Sequence, residues 1–175
     1  MNRLIMAFAF VLLVASLPAV AQVDPCKLLT QAEIESAIGG KATFAGTAQW
    51  GATPTCAGGS TAKKMSIMVM FVPGDAKAGD AAKKDPRWAD PLGYLEQISR
   101  QSADSIKAKM ETKRFGSSIL CTTLIPPKQG PYSTQCMVVK KPIGMGTVTV
   151  MTKTQQEMVS IDTLHLLAEK MVGRL

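Results

Sequence analysis

The sequence predicts an α+β domain, an antiparallel β-sheet covered by helices with elements in the order α-β-β-α-β-β-β-α. Three observations lead there. Apolar runs of strand length are joined by dense Pro/Gly turn signals rather than by crossover helices. Helical periodicity is strong near the start, the middle and the end of the chain. Four cysteines are spaced so that two of them face each other across one hairpin. No α-β-α-β alternation points to a parallel nucleotide-binding sheet.

The chain opens with Met1-Asn2-Arg3, an almost wholly apolar stretch over residues 4–16, then Pro18 and Ala19-Val20-Ala21. A basic head, a short apolar core and small residues before a cleavage point are the marks of a secretory signal peptide. Residues 1–21 are therefore expected to be removed, leaving 22–175 as a single globular domain that is periplasmic or secreted. The apolar run is short for a bilayer and no second one follows, so no transmembrane segment is expected in the mature protein. Cys26 follows Val23-Asp24-Pro25, which does not suit lipid attachment.

Asp24-Pro25 starts a helical turn, with Pro tolerated at the first position. Thr30-Gln31-Ala32-Glu33 reads as a capping box for a helix that buries Leu29, Ile34, Ala37 and Ile38 and stops at Gly39-Gly40. Residues 41–48 can form a strand. Residues 49–62, rich in Gly, Thr and Pro, are expected to be loop. Residues 65–72 are a continuous apolar run and read as a central strand buried on both faces. Residues 73–93 form either a surface excursion or a short Ala-rich helix over 76–84. A second helix is expected over 94–112, with Leu95, Ile98, Ile106 and Met110 on one face. Strands follow at 115–125, 132–139 and 147–152. Ser160 then caps a closing helix with Ile161, Leu164, Ala168, Met171 and Leu175 at helical spacing.

Folding 115–125 onto 132–139 symmetrically sets Thr123 opposite Thr134 and Cys121 opposite Cys136. Opposed residues in an antiparallel pair lie about 4.5–5.5 Å apart, within the roughly 4.4–6.8 Å that a disulfide requires. Cys26 and Cys56 are left to each other. Each bridge is expected to contribute about 3 kcal/mol. Metal ligation is the weaker reading, since no C-x-x-C occurs and the chain holds one histidine.

Residues 24–39, D-P-C-K-L-L-T-Q-A-E-I-E-S-A-I-G, resemble the opening of a large group of small exported bacterial domains of unknown function. That opening is D-P-C-x-L-L-T-x-x-E followed by spaced hydrophobic residues and Gly. The late cysteine pair and the amphipathic closing helix are similar as well. The resemblance implies a PsbP-like α/β sandwich in a lipoprotein or sensor-like setting, and it implies no catalytic residue. Two features depart from the group: no lipoprotein cleavage motif is present, and Ala57-Gly58-Gly59 stands after Cys56 where an aromatic is expected.

The formal charge of +7 falls by one when Arg3 is removed. A positive balance suits anionic envelope surfaces. The basic residues are scattered pairs such as Lys63-Lys64 and Lys140-Lys141, so no nucleic-acid partner is expected. His165 lies mid-helix among leucines and reads as a structural histidine, with no G-x-S-x-G elbow to serve. Ser60-Thr61-Ala62-Lys63 matches S-x-x-K, but it precedes a strand and lacks the partner motifs of acylating enzymes. Glu33/Glu35 and Asp85/Asp90 are weak carboxylate pairs for glycoside hydrolysis. Methionines are abundant. Met68 and Met70 share a strand face that Met145 or Met151 approaches from a neighbour, a weak soft-metal motif for copper or silver beside the simpler reading of core filler.

No cofactor and no catalytic residue are expected. The favoured expectation is an exported, non-enzymatic binding or sensor-like domain of the envelope. It takes a small hydrophobic ligand or an envelope protein, with Trp88 and Arg87 in the long 73–93 segment, and Tyr94 just after it, as contact residues. The alternatives are an envelope hydrolase with a dispersed site, soft-metal binding through Met68 and Met70, and a structural factor docked on an anionic envelope surface.

Overall fold

Thr30 begins the first helix in the manner its neighbours dictate. Its hydroxyl accepts from Glu33 N at 3.3 Å, while the Glu33 carboxylate accepts from Thr30 N at 2.9 Å. The helix, α1 (Gln31–Ile38), ends at Gly39, whose φ of 65° suits a residue without a side chain. A 3-10 turn over Pro25–Lys27 precedes it, capped by Asp24. This computed structural model describes residues 23–50, 53–74, 89–128, 130–141 and 143–175. The leader and the proposed 76–84 helix lie outside the described residues.

After α1 come β1 (Thr43–Trp50), β2 (Thr53–Ser60), β3 (Met65–Pro73), α2 (Pro91–Ser105), β4 (Lys109–Phe115), β5 (Ile119–Ile125), β6 (Tyr132–Lys140), β7 (Gly144–Thr152) and α3 (Ile161–Arg174). Among the described residues the strands form one seven-stranded sheet in the order β1-β2-β3-β7-β6-β5-β4. Every neighbouring pair is antiparallel. Two meanders, β1-β2-β3 and β4-β5-β6-β7, meet where β3 pairs with β7. The α+β class with an antiparallel sheet is as expected, and so are both disulfides. Cys121 and Cys136 stand directly opposed on β5 and β6 with Cα atoms 4.1 Å apart, and Thr123 faces Thr134. Cys26–Cys56 ties the first turn to β2 with a Cα separation of 4.9 Å.

Four local expectations are corrected. Residues 49–62 are not a loop, because β2 runs through them between β1 and β3. Their glycines serve close approach: a Cβ on Gly58 would strike the Thr43 carbonyl, and one on Gly59 would lie 2.7 Å from the Met65 carbonyl. The helix expected over 94–112 stops at Ser105, and Met110 belongs to β4. Ile106 N and Ala108 N both bond to Ala103 O, and Lys107 turns the chain at φ 54°. β4 then pairs along its whole length from Lys109↔Ile125 to Phe115↔Ile119. Ile98 and Ile106 are consequently exposed rather than packed. The strand expected over 115–125 is divided by a turn at Gly116-Ser117-Ser118, where Gly116 has φ 59°. Finally, β3 is buried on one face only: Met65, Ile67, Val69 and Phe71 are buried, whereas Ser66 and Val72 are exposed.

The core lies on that buried face, with α1 and α3 over it. Leu164, Ala168 and Met171 of α3 pack with Ile67, Val138, Val148 and Val150 of the sheet. Thr134 on β6 donates to Val159 O at 2.6 Å, which holds the approach to α3, and Ser160 caps that helix. The two helices are clasped at their ends. Arg174 donates through Nη1 and Nη2 to the two oxygens of Glu33, each at 2.7 Å, and through Nη1 also to Leu28 O at 2.8 Å. Lys170 Nζ stands 3.3 Å from the same carboxylate. No helix among the described residues is long and apolar enough to cross a membrane.

The Arg174 guanidinium holds the Glu33 carboxyl well below its ordinary value of 4.5, outweighing the opposing effect of burial. A lowered folded-state pKa stabilises the fold above the ordinary value, and that stabilisation is lost as pH falls. Thermal unfolding should therefore show Glu33→Gln less stable than wild type at neutral pH, with the gap narrowing as pH drops below about 4.5. A gap as large near pH 3 as at neutral pH would contradict this role.

Candidate functional site

Side chains alternate along a strand, so the residues that do not enter the α1–α3 core point to the sheet's second face. On β3 these are Ser66, Met68, Met70 and Val72, which pair with Met151, Thr149, Thr147 and Met145 of β7. On β6 they are Ser133, Gln135, Met137 and Val139, opposite the same β7 residues. Among the described residues helix α2 packs on this face chiefly over β4 and β5 and reaches the edge of β6. Leu92 and Leu95 there join Leu120, Met137 and Val139, with Met145 at the margin of the cluster. Glu96 anchors the helix by accepting from Arg100 at 2.8 Å and from Arg114 Nε of β4 at 2.9 Å. Those two bonds, Arg100 foremost, draw its carboxyl below the ordinary value. Over β3 and β7, Met68, Met70, Thr147 and Thr149 are half-buried, and among the described residues no helix packs on them.

Two clefts bound this face. One, of about 360 Å³, opens at the end of β7 and is lined by Met151, Ser66 and Pro131 together with Lys64 and Lys153. Lys64 is held in the β2–β3 turn at φ 49°, its N–H bonded to Thr61 O. The other, of about 510 Å³, lies between the start of α2 and the β4–β5 turn. Its charged groups are already engaged: Asp90 caps α2 through Gly93 N, Lys140 Nζ donates to Val172 O, and Lys141 Nζ donates to Ala89 O. The first cleft brings Met151 and Pro131 together with two lysines, Lys64 and Lys153, for which no side-chain bond is formed among the described residues.

The residues singled out in the sequence fall as follows. Tyr94 is half-buried in the first turn of α2, its N–H bonded to Asp90 O. Arg87, Trp88 and Asp85 lie outside the described residues. Met68 and Met70 share a face, and both Met145 and Met151 lie on the adjoining strand, same side. All four cysteines are bonded to one another. Ser60 pairs with Met65 across the β2–β3 turn and is buried, so its S-x-x-K segment is a hairpin end, without the helix N-terminus that acylation chemistry employs. Glu33 is clasped by Arg174, and Glu35 accepts from Gln31 Nε2 and Ala42 N. Those bonds, Gln31 first, lower the Glu35 carboxyl. Neither carboxylate is arranged for acid–base work. Among the described residues no three His, Cys, Asp or Glu side chains gather as a metal centre.

The lysine-flanked cleft escaped the sequence because Lys64 and Lys153 come from different hairpins. The period-two pattern of β7, Gly144 to Thr152, was its one legible trace.

His165 stacks on Phe115, with ring centroids 3.6 Å apart and planes 11° from parallel, and its Nε2 lies 3.2 Å from Glu169. It belongs to α3, across the sheet from the methionine face. Replacing His165 by Ala should cost about 1 kcal/mol in denaturant unfolding through the lost stacking, with no change at the methionine face. A loss of ligand binding without loss of stability would give this histidine a different role.

Comparison with protein-family models finds none that matches the chain, and comparison with curated proteins finds no match either.

Proposed function

We propose that this chain is an exported, non-enzymatic binding domain whose ligand is a small amphiphile: an apolar chain carrying an anionic group. The carrying observation is the continuity between Met68 and Met151 of the second face and the cleft rimmed by Lys64 and Lys153. Thioethers adapt to apolar ligands of irregular shape, and the hydroxyls of Thr147 and Thr149 tolerate solvent when the face is empty. The lysines supply charge complementarity at one end, in keeping with the positive balance of the whole chain. Export is supported by the leader sequence and by two disulfides that persist in an oxidising compartment. The carboxylates and the histidine weighed as catalysts, where described, are engaged in contacts that hold the fold together.

A fluorescent polyene fatty acid provides the test. The protein should bind it saturably, and decanoate should displace it. Lys64→Glu combined with Lys153→Glu should weaken binding by roughly tenfold or more, with affinity falling as salt rises. Decanol, which lacks the charge, should bind wild type and the double variant alike. Absence of saturable binding, or equal fatty-acid affinity in both proteins, would overturn the assignment.

A further inference from the structure

The two faces of the sheet are filled by different chemistry. The core face of β3, β6 and β7 carries Ile67, Val69, Phe71, Val138, Val148 and Val150 with a single methionine, Met65, at its edge. The second face of the same strands carries Met68, Met70, Met137, Met145 and Met151. Strand packing favours β-branched and aromatic side chains, and methionine loses more rotamer freedom on burial than isoleucine or leucine. Packing alone accounts for the first face and leaves the choice on the second unexplained. What those five residues share is a thioether sulfur.

Register brings three of them to one place. Thr147 of β7 pairs with Met70 on β3 and with Met137 on β6. Met145 lies two residues along β7, on the same face, and is therefore the diagonal neighbour of both. Such neighbours are about 7–8 Å apart, less between Cβ atoms, within reach of long side chains. Met137 is buried beneath α2, whereas Met70 and Met145 are half-buried, so the cluster has one fixed ligand and two that solvent reaches. We propose that Met70, Met137 and Met145 form a three-thioether site for one soft monovalent cation, Cu(I) or Ag(I). Thioethers are neutral and soft, which suits these ions and not hard divalent cations. No free thiol competes among the described residues, because every cysteine there is in a disulfide. The lone histidine is on α3, on the other side of the sheet. Met145 and Met151 stand at opposite ends of the exposed face, about 20 Å apart along β7. The metal site is thus separate from the lysine-flanked cleft and independent of the amphiphile reading.

A thioether has no proton to lose, so this site differs from thiolate or imidazole sites in being insensitive to pH. The test is Ag(I) titration of the disulfide-bonded protein in chloride-free buffer, followed through the methyl resonances of 13C-labelled methionine. One equivalent should shift Met70, Met137 and Met145 and leave Met65 and Met171, on the core face, unmoved. Affinity should change less than about twofold between pH 5.5 and 7.5. Met145→Leu preserves volume and should fold normally, yet should weaken binding by roughly tenfold or more. Met68→Leu with Met151→Leu should bind as wild type does, and so should the Lys64→Glu/Lys153→Glu protein. No saturable binding, unchanged affinity in Met145→Leu, or shifts confined to other methionines would each overturn the site.

Discussion

Packing of α3 against one face of the sheet is the constraint on which the rest of the structure depends. Leu164, Ala168 and Met171 are completely buried there. The helix can come so close because Gly146 of β7 leaves space at the contact: a Cβ there would lie 2.8 Å from the Met171 methyl. Once that face is chosen, every alternate residue of β3, β5, β6 and β7 is assigned to core or to surface. A slip of one residue would exchange the two sets. The Cys121–Cys136 bridge, between directly opposed residues under the helix, holds the β5–β6 pair against such a slip.

The clasp of Glu33 by Arg174 and Lys170 extends the same arrangement to the N-terminus. With Cys26–Cys56, it commits α1 and the first turn to the core face. The described helix left for the second face is α2, anchored by Glu96 to Arg114 over the β4 side of the sheet. Among the described residues part of that face is packed by α2 and part is lined by methionine and threonine. The candidate ligand surface is a consequence of this uneven cover. It is built by strands whose other side is buried in the core, so its side chains are displayed on a rigid support.

Several local patterns are overruled in the fold, each for an identifiable physical reason. Gly58 and Gly59 look like loop residues because glycine is flexible in isolation. In the fold they allow neighbouring backbones to approach, a demand that exists only once β1 and β3 are in place. Ile106 and Met110, four residues apart, carry the spacing of one helix face. The competing alternation of Met110 and Thr112 with Lys109, Glu111 and Lys113 prevails because β5 offers a complete set of backbone partners. The apolar run in β3 suggested burial on both sides. Hydropathy does not reveal that Met65, Ile67, Val69 and Phe71 enter the core while Met68, Met70 and Val72 face the other way. Lys64 and Lys153 gave no local signal at all, being brought together only by the pairing of β3 with β7.

Local chemistry was enough for the capping box at Thr30 and Glu33, the Gly39 stop, the Ser160 cap, the α+β class and the Cys121–Cys136 pairing. Each of these depends on residues close in sequence or on a single hairpin. The joining of two meanders through β3 and β7, the one-sided burial of β3, the seat of α2 and the grouping of Met70, Met137 and Met145 were decided by tertiary structure alone. They depend on which surfaces are left to bury after the local elements have formed, and that competition is settled by packing across the whole sheet.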